Sequence, residues 1–246
     1  MSLAGILVID KPGGMTSHDV VMKVRRTLEV RKVGHTGTLD PMATGVLPLC
    51  IGGATKIASF LESGEKGYTA TIRFGVETDS YDAEGKVVAE SDTSDISDER
   101  VLEALTHFKG RIEQIPPMFS AVKVGGTPLY KLARKGITVQ RRAREVEICR
   151  LDVEKIDMPF LTVHIACSKG TYIRSLSHDI GMTVGCGAHL AALRRTKSGN
   201  FTLDDATTLD QDKSALIKRI VSPEEIIARF KDEAVTSRVR RVLKVA

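Results

Sequence analysis

The residues best suited to chemistry are gathered in one short stretch. From 34 to 48 the chain reads Gly-His-Thr-Gly-Thr-Leu-Asp-Pro-Met-Ala-Thr-Gly-Val-Leu-Pro, which sets Asp40 between turn-permitting glycines and a proline. The backbone places such an acid, and nearby N–H groups and short hydroxyls favour its ionised form. In that setting Asp40 can be a nucleophile or a general base. The same Asp-Pro pair also serves as a plain turn with its carboxylate on its own backbone. A second cluster, Cys-Ser-Lys-Gly-Thr-Tyr-Ile-Arg, occupies 167 to 174. On a helix starting near Gly170, residues 171 and 174 lie on one side, so Arg174 can reach inward from the first turn toward an acid. Without such a partner it is a surface arginine. Lys169-Gly170 lacks the spacing of a phosphate-binding loop.

Regular elements must hold these two clusters. The run Gly5 to Ile9 ends at Asp10-Lys11-Pro12-Gly13-Gly14, which predicts a short buried strand and a turn. A helix follows, capped by Thr16 or Ser17, with Val20, Val21, Val24 and Leu28 at helical spacing. The Gly- and Pro-rich stretch from Gly34 to Gly53 reads as loop around the apolar run Val46 to Ile51. Tyr68 to Phe74 alternates like a half-buried strand, and Ser97 caps a helix running through Phe108 to Gly110. Strands are expected at Val146 to Ile156 and Phe160 to Cys167, then a helix from Thr171 to Met182 that ends at Gly181 or Gly185. Strands and helices interleave without regular alternation. That favours a mixed α+β fold, a mixed sheet with helices packed on it, over a doubly wound one.

Composition narrows the class. With 246 residues, 42% of them hydrophobic, the chain can bury a core without disulfides or metals. Cys50, Cys149, Cys167 and Cys186 form no Cys-x-x-Cys pair and read as reduced thiols, and no zinc site is expected. No stretch approaches the roughly 18 apolar residues of a membrane span, so a soluble, cytoplasmic protein is expected. The net charge of +5 hides a segregation. Between Val76 and Leu105 ten acids face two bases, whereas from Lys109 to Arg150 ten bases face three acids. The basic stretch also carries Phe119, Tyr130 and Gly125-Gly126, which suits either an arm presenting cations and rings to RNA or a solvated loop.

Five motifs in order resemble one family. Asp-Lys-Pro-Gly-Gly-Met-Thr-Ser at 10 to 17, the Asp40 stretch at 34 to 48, Lys-Gly-Tyr-Thr-Ala at 66 to 70, Ile-Pro-Pro-Met-Phe-Ser-Ala-Val-Lys at 115 to 123 and the 167 to 174 cluster are similar to the TruB family. These are tRNA pseudouridine synthases that isomerise the T-loop uridine at tRNA position 55. The resemblance runs from about residue 5 to 203. It implies the pseudouridine synthase fold, with a central mixed, largely antiparallel sheet flanked by helices and loops.

The resemblance also implies roles. Asp40 takes that of the catalytic aspartate, and Arg174 pairs with it and keeps it ionised while partly desolvated. His35 would pack on bases of the refolded T-loop, and Tyr68 would stack on the flipped uracil. Tyr172 would line the same pocket, the backbone of Leu193 would contact the uracil, and Lys11 would contact RNA. The stretch from about 109 to 145 would be a basic RNA-binding insertion. Asp40 could attack C1′, attack C6 or begin by proton abstraction, and no cofactor or metal is needed. The expected partner is the T-stem loop of tRNA, with no membrane and no protein partner, the protein acting as a monomer.

The expected layout is a catalytic domain over 1–203 and a helical, basic extension over 204–246, too short for a full PUA domain. In that extension a helix from Ser222 to Phe230 starts on Pro223, and a basic end carries Arg238, Arg240, Arg241 and Lys244. Val235 to Ala246 would then add backbone contact to tRNA. Two rival readings are a non-catalytic RNA-binding module and a glycosidase with a second acid, the latter without an obvious paired carboxylate in the motifs.

Overall fold

A computed structural model of the chain describes residues 3–229 and 233–243. The first elements are β1 (Gly5–Lys11), α1 (Ser17–Leu28), β2 (Val33–His35), β3 (Thr44–Ile51), a 3-10 turn (Gly52–Ile57), α2 (Ala58–Leu61) and β4 (Lys66–Phe74). Next come β5 (Val76–Thr78), β6 (Val87–Glu90), α3 (Asp98–Thr106), β7 (Gly110–Gln114), β8 (Lys123–Val124), β9 (Thr127–Pro128), α4 (Leu129–Ala133), β10 (Arg144–Asp157), β11 (Phe160–Cys167) and α5 (Ile173–Val184). Last are β12 (Ala188–Ser198), β13 (Phe201–Thr202), a second 3-10 turn (Leu203–Asp205), α6 (Lys213–Lys218), α7 (Pro223–Arg229) and α8 (Glu233–Leu243). The fold is mixed α+β, and its strands pair mostly antiparallel, as expected. Two compact units emerge, residues 1–67 with 194–246, and residues 68–193, with β4 and β12 contributing to both.

In the first unit β3 is the axis. It pairs antiparallel with β1 from Gly5↔Ile51 to Lys11↔Gly45 and with β2 at His35↔Leu49, and parallel with β12 at Arg194↔Thr44. β1 and β3 are buried almost throughout, which is why they read as continuous apolar runs rather than alternating ones. Val46 to Ile51 is therefore strand, within a region that the glycine and proline density marks as loop. Thr16 caps α1 in a reciprocal box with Asp19, and Val20, Val21, Val24 and Leu28 face inward. One core cluster joins Ile6, Val8, Val46, Cys50 and Phe201 to Ile226 of α7 and Val239 of α8. Burial pushes the Cys50 thiol up to about 12.

Of the expectations about residues 204–246, one is met at its start and one changes. The helix from Pro223 is present, and its expected end, Phe230, lies outside the described residues. The basic end is not a free tail in this structure but α8, docked through buried Val239 with Val242 and Leu243 against the core. Arg240 and Arg241 are exposed, while Lys244 and the Arg238 side chain lie outside the described residues.

The second unit carries the strand order β4-β11-β10-β7. Leu161, Val163, Ile165 and Cys167 of β11 are buried in alternation, as their spacing predicts. β10 is 14 residues long, with register shifts against β11 between Ile148 and Arg150 and between Val153 and Lys155. α3 stops at Thr106, short of the expected Phe108. The His107 and Phe108 N–H groups turn to carbonyls three residues back, and Gly110 opens β7 instead of closing the helix. α5 begins two residues later than expected and closes on Gly185 in the left-handed region. In the basic stretch, β7 pairs with β10 from Arg144↔Gln114 to Ile148↔Gly110. Beyond it, β8 and β9 form a small hairpin, α4 follows, and Lys123, Lys131, Arg134, Lys135, Arg142 and Arg144 are exposed. No helix among the described residues is long and apolar enough to cross a membrane.

Candidate functional site

Asp40 is half-buried in the loop between β2 and β3, and the loop is held from three sides. At the start of α1, the buried Ser17 hydroxyl accepts from the Leu39 N–H at 2.8 Å and donates to the Leu39 carbonyl at 3.1 Å. One side chain thus satisfies both backbone groups of the residue preceding Asp40, groups that would otherwise be buried and unpaired. After Asp40 the chain turns tightly, the Ala43 N–H donating to the Asp40 carbonyl at 3.1 Å with Pro41 preset for the bend.

Two buried cations complete the frame. Lys11 is fully buried, and its ammonium donates to the carbonyls of Met15 at 2.6 Å, Pro12 at 2.8 Å and Pro41 at 3.1 Å. A buried ammonium needs such acceptors, and these tie the turn after β1 to the turn after Asp40. Lys11, expected to contact RNA, is here a brace of the loop. Arg195 of β12 is 1% exposed and donates to the carbonyls of Val46 at 2.7 Å, Gly37 at 3.2 Å and Thr38 at 3.3 Å. Gly45 makes room for it, since a Cβ there would lie 2.2 Å from the Arg195 carbonyl oxygen. Beside it Arg194 forks onto Asp10 at 2.7 and 3.2 Å.

His35 ends β2 on the same loop. Its Nδ1 is buried without a hydrogen bond among the described residues. Burial first, and then the Arg195 charge, hold its pKa below the ordinary 6.5, so the ring is neutral at physiological pH and offers a flat, weakly polar face.

The second unit holds the other four residues. Tyr68 in β4 and Leu193 in β12 are each 8% exposed and lie on neighbouring strands. Tyr172 is the N-terminal cap of α5. The buried side chain of Gln114, at the end of β7, accepts from the Tyr172 N–H at 2.7 Å and donates to its carbonyl at 3.0 Å, so it stands in for a strand partner and aims the helix.

Arg174, in the first turn of α5, is 4% exposed. Its guanidinium donates to the carbonyls of Phe119 at 2.8 Å and Ser80 at 3.2 Å and lies 3.4 Å from the Asp82 carboxylate. Asp82, equally buried, also accepts from the Ser80 hydroxyl at 2.5 Å and the Glu84 N–H at 3.1 Å. Arg174 therefore reaches inward to an acid, as the helix geometry predicts, and the acid in its own unit is Asp82. The Phe119 bond ties the same guanidinium to the 115–123 motif, which Ser175 also holds through the Ile115 carbonyl.

Sequence reasoning missed Asp82, Gln114 and the bracing part of Arg195. Arg195 leaves a trace, since it shares with Leu193 the inward register of β12 and an inward arginine calls for buried acceptors. Among the described residues no group of three or more His, Cys, Asp or Glu could hold a metal ion, and Cys50 and Cys186 are buried free thiols.

Known proteins align with this arrangement. The N-terminal domain model of the TruB family of pseudouridylate synthases matches residues 25–173, and a tRNA pseudouridylate synthase B C-terminal domain model matches residues 174–243. The chain is 45% identical over 241 residues to tRNA pseudouridine synthase B of Clostridium tetani (strain Massachusetts / E88), covering 98% of this chain and 83% of that one. It is 52% identical over 209 residues to tRNA pseudouridine synthase B of Pseudomonas aeruginosa (strain UCBPP-PA14), covering 85% and 68%. Among solved structures it resembles a chain of a Cbf5-Nop10-Gar1 complex, with TM-score 0.67, 30% identity, and coverage of 96% of this chain and 59% of that one. A second is an H/ACA RNP bound to a substrate RNA containing 2′-deoxyuridine, with TM-score 0.63, 30% identity, and coverage of 83% and 51%. The chain thus spans between half and three fifths of those two solved chains. Identity at this level across nearly the whole sequence, on a fold that braces the Asp40 loop, shows that the chain belongs to the TruB family of pseudouridylate synthases.

Proposed function

We propose that the protein isomerises uridine to pseudouridine in tRNA, at position 55 of the T-loop. The base flips out of the loop, the bond from N1 to C1′ breaks, the freed uracil turns in its pocket, and it rejoins C1′ through C5, the C5 proton being lost and a proton gained at N1. Asp40 is the catalytic carboxylate. Arg174 supplies the positive charge that keeps it ionised, Tyr68 stacks on the uracil, and Tyr172 and the Leu193 backbone line its pocket. His35 packs on T-loop bases, and the exposed cations of the 123–144 stretch grip the T-stem backbone. The T-stem loop is the partner, the protein acts as a monomer, and the cytoplasm is its compartment.

One observation carries the reading beyond family membership. Asp40 is a half-buried acid on a loop whose backbone is bonded immediately before and after it by Ser17, Lys11 and the Ala43 turn. A carboxylate that must meet a sugar carbon or a uracil edge needs its backbone fixed in advance, because small misplacement costs much of the rate.

The experiment is release of tritium from a T-stem-loop RNA carrying 5-tritiated uridine, with product analysis of the RNA. The protein is expected to release tritium and form pseudouridine, and Asp40→Asn to do neither while still binding RNA. Binding without modification by the unaltered chain would favour a non-catalytic RNA-binding module instead.

A further inference from the structure

The geometry points to Tyr81 and His178 as positioning residues that hold Asp82 against Arg174. This rests on the activity proposed above, in which Arg174 supplies the charge, and it adds two side chains to which that reading gives no role.

Arg174 and His178 are four residues apart in α5 and so lie one above the other on a single helix face. The turn from Thr78 to Glu84 crosses that face. Arg174 holds it at the Ser80 carbonyl and the Asp82 carboxylate. One turn along, the His178 ring lies flat on the Tyr81 ring, with centroids 4.0 Å apart and planes 12° from parallel. Helix and turn therefore meet at two adjacent points, one a charge contact and the other a ring stack.

Tyr81 needs holding. Its φ is +64°, and Tyr81 and Glu29 are the non-glycine residues in the left-handed region among those described. A bulky aromatic residue adopts that conformation only where its surroundings impose it. Its backbone is pinned, the N–H donating to the Thr78 carbonyl at 3.2 Å and the carbonyl accepting from the Leu190 N–H at 3.0 Å. The Asp82 carbonyl in turn accepts from the Thr78 hydroxyl at 2.7 Å. With the backbone committed, the direction of the Asp82 side chain follows from the torsions at Tyr81, and the stack on His178 is the side-chain contact that favours them.

His178 is suited to stacking more than to hydrogen bonding here. Its Nδ1 is buried without a hydrogen bond among the described residues and lies 3.7 Å from Glu77, beyond hydrogen-bond length. The ring therefore stacks flat on Tyr81, with the Glu77 carboxylate standing off at ion-pair distance.

The test is a double-mutant cycle in the tritium-release assay on T-stem-loop RNA, using the full chain. Wild type must first release tritium; if it does not, the proposed activity fails rather than this inference. Given an active wild type, His178→Leu, which fills the space without stacking, is expected to lower kcat about tenfold with KM and RNA affinity unchanged, and His178→Phe, which restores the stack, to recover most of it. In an Asp82→Asn background the same His178→Leu change is expected to add nothing further to the kcat loss. Equal kcat in His178→Leu and wild type, or no difference between the Leu and Phe variants, would overturn the proposal. So would a full tenfold loss that persists in the Asp82→Asn background, since His178 would then act by some route other than Asp82.

Discussion

Ser17→Ala removes one oxygen atom, and its consequences can be worked through. The hydroxyl is buried and serves both the N–H and the carbonyl of Leu39, the residue before Asp40. No backbone group replaces it, so two polar groups are left in a dry place, each worth roughly 1–3 kcal/mol. Alanine gains about half a kcal/mol in the first turn of α1, and partial relaxation of the loop recovers some of the loss. The net loss is then roughly 2–4 kcal/mol, which in a chain of this size lowers the thermal midpoint by roughly 5–15 °C. Because the loop relaxes at Asp40 itself, kcat should fall roughly 10–100-fold, in line with the sensitivity of catalysis to a displacement of about 1 Å. Thermal unfolding and tritium release on T-stem-loop RNA read the two effects. Thr27→Ala is the control, since its exposed hydroxyl bonds only the Lys23 carbonyl and its loss should stay within about 0.5 kcal/mol. A Ser17→Ala midpoint within about 2 °C of wild type, together with unchanged kcat, would show that the brace does not hold the loop.

Three further outcomes are expected. Arg174→Ala should leave RNA binding in place and abolish most turnover, and by stranding the buried Asp82 carboxylate it should also lower stability by roughly 3–5 kcal/mol. Arg174→Lys keeps the charge but not the fork, so it should recover stability more than kcat, and full kcat in Arg174→Ala would remove the electrostatic role. Replacing Arg240 and Arg241 with Glu should weaken tRNA binding and reduce its salt slope by about two, and unchanged affinity across salt concentrations would exclude α8 from the interface. These substitutions are preferable to deleting Val235 to Ala246, which would also pull Val239 out of the core. For His35, burial disfavours the charged ring, so the unfolded state binds the proton more tightly. Its contribution to stability is complete above the ordinary 6.5 and is lost as pH falls below it toward the depressed folded value. A His35→Asn variant should accordingly lose less stability than wild type between about pH 7.5 and pH 5.5, and identical losses would contradict the assignment.

Much of this was readable from residue order where a single physical rule governs. β11 alternates because one of its faces is buried, and α1 shows its cap and its valine stripe directly. The Asp40 loop announces itself by glycine and proline density, and Arg174 by its place in the first turn of a helix. Other features depend on long-range partners that leave little local trace. Asp82 counts as one acid among ten in a segment whose average suggests a solvated face, yet it is buried because Ser80, Glu84 and Arg174 converge on it. Lys11 stands at the end of an apolar run before a turn, and nothing local shows that three carbonyls close around it. β12 has an alternation interrupted by Ala191, Ala192 and Arg194, and so gives no clean strand signal, although it carries both Leu193 and Arg195. α8 reads as a basic tail because Arg238, Arg240 and Arg241 are interleaved with Val239, Val242 and Leu243, the three apolar residues that dock it.

The central claim is that this chain rearranges uridine in the T-loop through Asp40. The most direct measurement is tritium release from 5-tritiated uridine in a T-stem-loop RNA, run in parallel with the intact protein and Asp40→Asn at matched RNA binding. The account predicts release and a pseudouridine product at position 55 from the intact protein, and neither from Asp40→Asn. An intact protein that binds the RNA but leaves every uridine unchanged, or an Asp40→Asn variant as active as wild type, would contradict it.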